Sequence, residues 1–306
     1  MTDAGSDQDV LLDCFERHRP QLRAIAFRML GSAADADDAL QDTWVRARRA
    51  DTESVQNLEA WLTTVLARIC LNLLRARRLR QHESLVTIPD PVISSSTGLG
   101  PEDSVLLADG VGLALMIVLD SLKPGERLAF VLHDMFQVPF EQIAVMLDRS
   151  PEATRKLASR ARQRVKDLAP RPDPDLSLQW EVVNAFFAAS RDGDFNSLIA
   201  LLHPDVILRS DGGSARPQLN QVHSGAWQVS SQAVATIGLL PFIFRVLVNG
   251  AAGVVVAPHG RAQVIMAFTV TDRAIAAIDI LADPRRIEGL DLGHLLTGTT
   301  HGRPDK

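Results

Sequence analysis

The chain has 306 residues, a length typical of two or three compact domains rather than one. Its 46% hydrophobic and 23% charged residues exclude collagen-like, mucin-like and wholly disordered chains. No segment reaches the roughly 18 consecutive apolar residues of a membrane span, and the acidic N-terminus lacks the apolar region of a signal peptide. Because the formal net charge is −5, any affinity for nucleic acid must come from local basic patches. We therefore expect a cytoplasmic protein without membrane contact.

The first segment with a predicted function is an acidic run. Its side chains suit a basic protein surface and not DNA, and they are Asp35, Asp37, Asp38, Gln41 and Asp42. For Asp35 and Asp37 an equally good explanation is that the helix dipole favours acids in a first turn. Trp44 is either an interface anchor or a core residue, and we favour a partly buried core residue whose edge contacts the partner.

A long amphipathic helix is predicted downstream of Leu58. Its apolar residues recur at alternating spacings of three and one, the pattern of a helix with one buried face. The opposite face and the end of the helix carry Thr64, Arg68, Asn72, Arg75, Arg77, Arg78 and Arg80. Two explanations stay open for this basic face: a nucleic-acid contact, or a solvated surface whose arginines complement the helix dipole.

The segment 82–101 differs in composition from its surroundings. It contains three prolines, four consecutive Ser or Thr residues and two glycines, which is typical of a flexible linker. Such a tether would let two flanking helical units reach two separate sites at once, with its length limiting their separation.

A helix-turn-helix is predicted downstream of Pro139, where a short helix begins. Asp148 and Arg149 form the turn, and Ser150 is the N-cap of the second helix, followed by Pro151 and a first-turn acid. The stretch from 149 to 166 carries seven bases and one acid, which favours a helix that enters the major groove. The alternative is an ordinary helical hairpin with a solvated face, which the caps and the charge asymmetry disfavour.

Four blocks of sequence occur in a characteristic order. They are Asp35-Ala-Asp-Asp-Ala-Leu-Gln-Asp-Thr-Trp-Val-Arg-Ala47, Ala60-Trp-Leu-Thr-Thr-Val-Leu-Ala-Arg68, Leu122-Lys-Pro-Gly-Glu-Arg-Leu-Ala-Phe-Val-Leu-His-Asp134 and Ser150-Pro-Glu-Ala-Thr-Arg-Lys-Leu-Ala-Ser-Arg-Ala-Arg162. In order and spacing they resemble regions 2 and 4 of extracytoplasmic-function (ECF) sigma factors of the sigma-70 family. The resemblance implies that region 2 binds the beta-prime subunit of RNA polymerase and opens the promoter −10 element, while region 4 binds the −35 element.

The resemblance and the chemistry of the side chains together assign residues to three contacts. Polymerase binding is expected at Asp38, Gln41, Asp42 and Trp44. Contact with the −10 element is expected at Arg68, Asn72, Arg75 and Arg78, because Asn can bind an adenine edge and Arg a guanine or a phosphate. Contact with the −35 element is expected at Ser150, Glu152, Arg155, Lys156 and Arg160. The expected partners are promoter DNA and core RNA polymerase, through its beta-prime and beta subunits.

A domain boundary is predicted where Pro170, Pro172 and Pro174 follow one another. Beyond it, helices at 176–190, 195–202 and 225–237 and strands near 205–210, 244–248, 253–257, 262–270 and 274–281 predict an α+β cone with long antiparallel strands. With Asp194-Phe-Asn-Ser-Leu-Ile-Ala-Leu-Leu-His-Pro-Asp-Val206 and Asp211-Gly-Gly213, this part resembles a SnoaL-like domain of the NTF2-like superfamily. The whole chain then resembles ECF sigma factors with a fused extension that replaces a separate anti-sigma protein.

Two segments depart from the pattern of such extensions. Where relatives carry a Lys-containing Asp-Gly-Gly-Gly motif this chain has Ser214-Ala215, and Asp283-Pro-Arg-Arg-Ile287 replaces an Asn-Pro-Asp-Lys form. Glycines recur after Pro284 among few helix or strand signals, so this tail is expected to be the moving part of the extension.

The predicted fold is multidomain, with two all-α helical domains, the second containing the helix-turn-helix, and a C-terminal α+β NTF2-like cone. The expected divisions are region 2 at 1–84, a linker at 85–105, region 4 at 106–169, the SnoaL-like domain at 176–295 and a tail at 296–306. Cys14 and Cys70 lack metal-ligand spacing, so we expect neither a metal site nor another cofactor.

Three residues of the extension could line a pocket for an unidentified small ligand: Asp211, His223 and Trp227. Ketosteroid-isomerase chemistry uses a Tyr hydroxyl, and this chain has no Tyr. A strand-end turn at Asp211 and a loop position for His223 are the favoured explanations. The sequence therefore predicts a non-enzymatic alternative sigma factor regulated by its extension. The rival classes are a plain helix-turn-helix repressor and a helix-turn-helix regulator fused to a ligand-binding or isomerase- or cyclase-like domain.

Overall fold

The computed structural model describes residues 4–52, 54–80, 88–95, 112–170, 172–235, 242–290, 292, 293 and 295. They form two compact units: the described residues up to 80 and from 118 to 168 form the first, and the other described residues form the second. Within the described residues, no helix is long and apolar enough to cross a membrane. The predicted tail at 296–306 lies outside the described residues.

The first unit begins with three packed helices, α1 (Ala4–Leu30), α2 (Ala33–Ala47) and α3 (Leu58–Arg80). Ser32 caps α2, because its hydroxyl accepts a hydrogen bond from the amide of Asp35. The apolar stripe of α3 is buried as predicted, with Leu62 and Leu66 fully inaccessible. These helices make up the predicted region 2, and their packing fixes which faces of α2 and α3 remain exposed.

The helix-turn-helix forms where the sequence predicts it. Helix α4 spans Leu113–Ser121, α5 spans Pro124–Phe130 and runs into a π-helical turn at Val131–Met135, α6 spans Phe140–Leu147, and α7 spans Pro151–Leu168. Asp148 adopts a left-handed conformation with φ of 54° and ends α6. Ser150 then caps α7, since its hydroxyl accepts from the amide of Ala153 at 3.2 Å. The turn therefore directs the basic face of α7 outward.

The second unit is built on a sheet whose strands are β1 (Ile93–Ser95), β2 (Leu202–Asp211), β3 (Gln221–Ser224), β4 (Ile243–Val248), β5 (Ala251–Val256), β6 (Val264–Thr271) and β7 (Ala274–Leu281). Their order across the sheet is β1-β4-β5-β6-β7-β2-β3. Helices α8 (Leu176–Asp192), α9 (Phe195–Leu201) and α10 (Ala226–Ala235) contribute to its core, and α11 spans Pro284–Glu288. The α+β class is confirmed, but β2 and β7 pair in parallel, whereas antiparallel strands were predicted.

The linker differs from the free tether that its composition predicts. Residues 93–95 form β1, which extends the sheet of the second unit by pairing antiparallel with β4. Asn249 holds Val92, the residue just before β1, by two hydrogen bonds of 2.8 Å. The side-chain oxygen of Asn249 accepts from the backbone N–H of Val92, and the backbone N–H of Asn249 donates to the carbonyl of Val92. Of the predicted linker, residues 85–87 and 96–105 lie outside the described residues.

Candidate functional site

The acids of α2 fall into two groups. Asp35 forms an ion pair with Arg77, and Asp37 accepts two hydrogen bonds from Arg23 at 2.6 and 3.0 Å. These two carboxylates therefore serve the packing of region 2 itself. The alternative explanation from the sequence was the helix dipole, and these ion pairs with other helices give a different reason for the two acids.

Asp38, Gln41 and Asp42 form the second group, and all three side chains are exposed. Within the part of the chain that the structure describes, no hydrogen bond or ion pair occupies them. Trp44 is half-buried and lies against Phe15 with ring centroids 5.0 Å apart, beside a Val45 that is 39% exposed. The surface thus combines unneutralised carboxylates with an aromatic edge, a combination suited to a partner that is both basic and apolar.

The predicted −10 face lies along α3. Arg68, Asn72, Arg75 and Arg78 are exposed, and the first three line a cleft of about 310 Å³ with residues from α6 and its turn: Val145, Met146 and Asp148. A guanidinium nitrogen of Arg68 lies 3.4 Å from the carbonyl of Val145. In this conformation region 4 stands opposite the face of region 2 that the sequence assigns to DNA.

A buried arginine joins regions 2 and 4. Arg127 of α5 is 1% exposed, donates from Nε to the carbonyl of Arg28 at 3.0 Å, and donates from Nη1 to Asp120 at 2.9 Å. Burial lowers the pKa of Arg127, with the carboxylate of Asp120 opposing the shift. Burial also raises the pKa of Cys70 on α3 to about 12, so this thiol stays protonated and acts as a small apolar group.

The predicted −35 face is the outer side of α7. Arg155, Lys156 and Arg160 are exposed, and Glu152 lies 3.1 Å from Lys156. Ser150 is engaged as the helix cap, so its hydroxyl orients α7 in addition to any contact with DNA. The helix therefore presents a mixed basic surface at its first two turns, which is where recognition helices contact bases.

The second unit contains a polar cluster that we call the linker clamp, formed by Asp90, Asp211 and Arg286. Arg286 donates from Nε to Asp90 at 2.7 Å, from Nη1 to Asp211 at 2.8 Å, and from Nη2 to the carbonyl of Ile88. The carboxylate of Asp211 also accepts from the amide of Ile88 at 2.9 Å. One carboxylate and one guanidinium of the C-terminal domain thus hold the backbone and a side chain of the linker.

The glycine turn after Asp211 shapes this clamp. Gly213 has a φ of +60°, and a Cβ placed there would lie 1.9 Å from a carboxylate oxygen of Asp283. Asp283 in turn caps α11, because its side chain accepts from the amide of Arg285 at 2.9 Å. The Asp211-Gly-Gly213 and Asp283-Pro-Arg-Arg-Ile287 segments, singled out separately in the sequence, therefore meet at one place.

The three residues suggested for a pocket, Asp211, His223 and Trp227, have different surroundings. Asp211 is engaged in the linker clamp, with its side chain 5% exposed. His223 lies on the edge strand β3 and contacts Gln221 at 2.9 Å. Trp227 is 67% exposed. The interior between α8 and the sheet is occupied instead by edge-to-face contacts among Phe186, Phe187 and Phe268, and no group of residues that could hold a metal ion occurs among the described residues.

Sequence reasoning did not single out Asp90 or Arg286 as members of a site. It placed Arg286 in a tail with few helix signals that was expected to move; residues 284–288 form α11 and Arg286 binds Asp90, while the expected motion stays a prediction. A signal was present in both cases. Asp90 stands between two prolines that restrict its backbone, and Arg286 lies in the segment noted for its departure from relatives.

A capped helix-turn-helix and two further charged helical faces are features expected of a promoter-binding initiation factor of the sigma-70 type. The comparisons agree: residues 14–80 match the family model for Sigma-70 region 2, and residues 113–165 match that for Sigma-70, region 4. The chain belongs to the ECF sigma factors and is an alternative sigma factor that directs transcription initiation.

Its similarity to one relative extends over the C-terminal domain as well. It is 35% identical over 295 residues to the ECF RNA polymerase sigma factor SigJ of Mycobacterium tuberculosis, covering 91% of this chain and 93% of that one. It is 32% identical over 203 residues to the probable ECF sigma factor SigI of the same species, covering 66% and 70%. The crystal structure of M. tuberculosis SigJ superposes with a TM-score of 0.75 at 32% identity, covering 92% of this chain and 99% of the other.

Proposed function

We propose that α2 is the polymerase-binding element and that its partner is the beta-prime subunit, with a further contact to the beta subunit. The observation that carries this proposal is the division of the acids: Asp35 and Asp37 are neutralised within region 2, whereas Asp38 and Asp42 are exposed. Exposed carboxylates beside the edge of Trp44 complement a basic, partly apolar surface. Capture of core polymerase by the full-length chain, compared with a charge-reversed chain, tests the assignment.

Promoter binding is divided between two helices in this proposal. The face of α3 with Arg68, Asn72, Arg75 and Arg78 contacts the −10 element, and the outer side of α7 with Ser150, Glu152, Arg155, Lys156 and Arg160 contacts the −35 element. Support comes from exposure and chemistry, since amide and guanidinium groups match the edges of adenine and guanine. Because α6 stands opposite the α3 face, DNA binding requires regions 2 and 4 to separate.

The C-terminal domain regulates initiation by holding the linker. The support is the linker clamp together with β1: hydrogen bonds from Asp211, Arg286 and Asn249 reach the linker at three points, and a strand pairing fixes a fourth. A linker fixed in its middle permits fewer separations of regions 2 and 4 than a free one. The domain thus determines which distances between the −10 and −35 elements the factor accepts.

Run-off transcription from one promoter tests this regulation. Three chains are to be compared: the full-length chain, a chain truncated before Pro284 that lacks Arg286, and a chain truncated after Ala169 that lacks the whole domain. We expect three different activities, because the first truncation loses the clamp and retains the β1 pairing while the second loses both. Three equal activities, with folding verified by circular dichroism, would show that the domain does not regulate initiation.

We infer that the C-terminal domain is a regulatory and not a catalytic part. Asp211, one of the residues suggested for a pocket, already binds the linker. The core between α8 and the sheet contains the aromatic contacts of Phe186, Phe187 and Phe268. The protein acts in the cytoplasm, where the polymerase and promoter DNA are found.

A further inference from the structure

The arginines of α7 fall into two sets according to their contacts. Arg155 and Arg162 are two turns apart on one side of the helix, and each is bound to a carboxylate from another element. Arg155 Nη2 donates to Glu141 at 2.8 Å, and Arg162 Nε donates to Asp134 at 2.8 Å. Arg160, by contrast, has no ion pair among the described residues. The protein therefore fixes the direction of some basic side chains of its recognition helix and leaves another free.

Arg155 is held by an aromatic contact as well. Its guanidinium carbon lies 5.6 Å from the centroid of the Phe140 ring. Phe140 is itself fixed by stacking on His133, with ring centroids 3.7 Å apart and an interplanar angle of 28°. The first turn of α6 thus supplies two adjacent residues, Phe140 and Glu141, that orient one guanidinium.

Stability does not explain this arrangement. Arg155 and Glu141 are 54% and 63% exposed, and ion pairs so open to solvent contribute little to folding because water screens them. A long arginine side chain, however, loses conformational freedom when it binds a base edge, and orienting it beforehand reduces that loss. A carboxylate at the DNA-facing side also repels phosphates, so it lowers affinity for every sequence alike.

We propose that Glu141 is a positioning residue that determines specificity at the −35 element. It orients Arg155 toward a base edge and at the same time weakens binding to DNA on which Arg155 finds no matching base. Both effects increase the difference in binding free energy between cognate and unrelated DNA, and specificity is this difference. The inference rests on the proposed contact of α7 with the −35 element.

The test uses holoenzyme assembled from core polymerase and the full-length chain. The probes are a promoter fragment selected by the wild-type holoenzyme from a pool with a randomised −35 element, and the same fragment with that element permuted. For Glu141→Gln we expect affinity for the permuted fragment to rise about two- to fivefold, and affinity for the selected fragment to fall. Glu141→Asp retains the charge and should keep affinity for the permuted fragment low.

Asp167→Asn is the matched control, because it removes the same charge from the far end of α7, where Asp167 accepts a hydrogen bond from Gln163 of the same helix. It should raise affinity for both fragments by the same factor. If Glu141→Gln also shifts both fragments equally, the positioning role is refuted while the −35 assignment stands. If the wild-type holoenzyme selects no −35 sequence from the pool, the proposed contact of α7 fails, and the role of Glu141 fails with it.

Discussion

The charged residues assigned to function differ in exposure between the two units of the protein. In the first, the charged residues assigned to function lie on the surface, as Asp38, Asp42 and Arg160 do. In the second, charged residues are buried against their own chain: Asp211 is bound by Arg286, and Asp279 is 1% exposed and bound by Arg209 at 3.0 Å. Burial raises the pKa of Asp279, although Arg209 opposes the shift.

This difference shows what each unit is suited to do. An exposed charge without an ion-pair partner is available to bind another molecule. A buried and paired charge already interacts with its own chain. The first unit is accordingly a set of binding surfaces, and the second is a device that holds a segment of its own chain. Substitutions can break this contrast at different points.

The largest effect is expected at the exposed acids of α2. Asp38→Arg combined with Asp42→Arg should abolish core-polymerase binding, because like charges would then face a basic surface. The helix should persist, since both side chains are exposed. A pull-down with core polymerase measures the effect, and Asp13→Arg combined with Glu16→Arg, two exposed acids of α1, is the charge-matched control. Unchanged affinity with retained helicity would refute the assignment of α2.

The next effect is expected on the recognition helix. Arg155→Ala should weaken the free energy of binding to the cognate −35 element by about 1 to 3 kcal/mol and to permuted DNA by much less, as expected when a base contact is lost. Lys166→Ala, further along α7, should weaken both complexes by a similar and smaller amount. Quantitative gel-shift titrations of the holoenzyme measure both, and an equal loss for Arg155→Ala on the two sequences would make it a phosphate contact.

A smaller effect is expected when the linker clamp is opened. Arg286→Met removes the guanidinium that binds Asp90 and Asp211 but keeps most of the apolar length of the side chain. Promoters whose spacer is one or two base pairs longer or shorter should then gain activity relative to the cognate spacer, by roughly two- to fivefold, since a released linker accommodates more separations. Run-off transcription across a spacer series measures the change. Identical spacer profiles for the variant and the wild type would contradict the clamp.

The smallest effect is expected at a paired acid of α2. Asp37→Asn loses an exposed ion pair with Arg23, so the free energy of unfolding should fall by only about 0 to 1 kcal/mol. Polymerase binding should be retained, in contrast to the Asp38 and Asp42 variant. Urea denaturation and the same pull-down measure these quantities, and a loss of binding equal to that of the double variant would extend the contact surface to Asp37.

Local signals in the sequence predicted the first unit well. Helix periodicity, the Ser150 cap and the Asp148 turn depend on residues within a few positions of one another, and the structure confirms them. The exposed face of α3 follows from its apolar stripe in the same way. The chemistry of the surfaces could be predicted because exposure there follows directly from periodicity.

Long-range contacts explain what the sequence did not predict. Ile93 pairs with Val248, and Arg286 binds Asp90. Because the partners of each pair lie far apart in the sequence, the residues around one of them do not predict the other. Prolines and serines around β1 resemble those of a free linker, and β3 is too short to show alternation. Asp211 was noticed for its glycine turn, but its partner lies in the linker and could not be inferred from the turn.

The pairing of β1 with β4 also has a consequence for synthesis of the chain. Ile93 leaves the ribosome long before its partner Val248, an interval on the order of ten seconds at ordinary rates of elongation. Throughout that interval the helices of region 2 can fold while their linker has no strand to join. Each newly made molecule therefore passes through a stage in which the linker is not yet held, and it is held only after the residues of β4 have been synthesised.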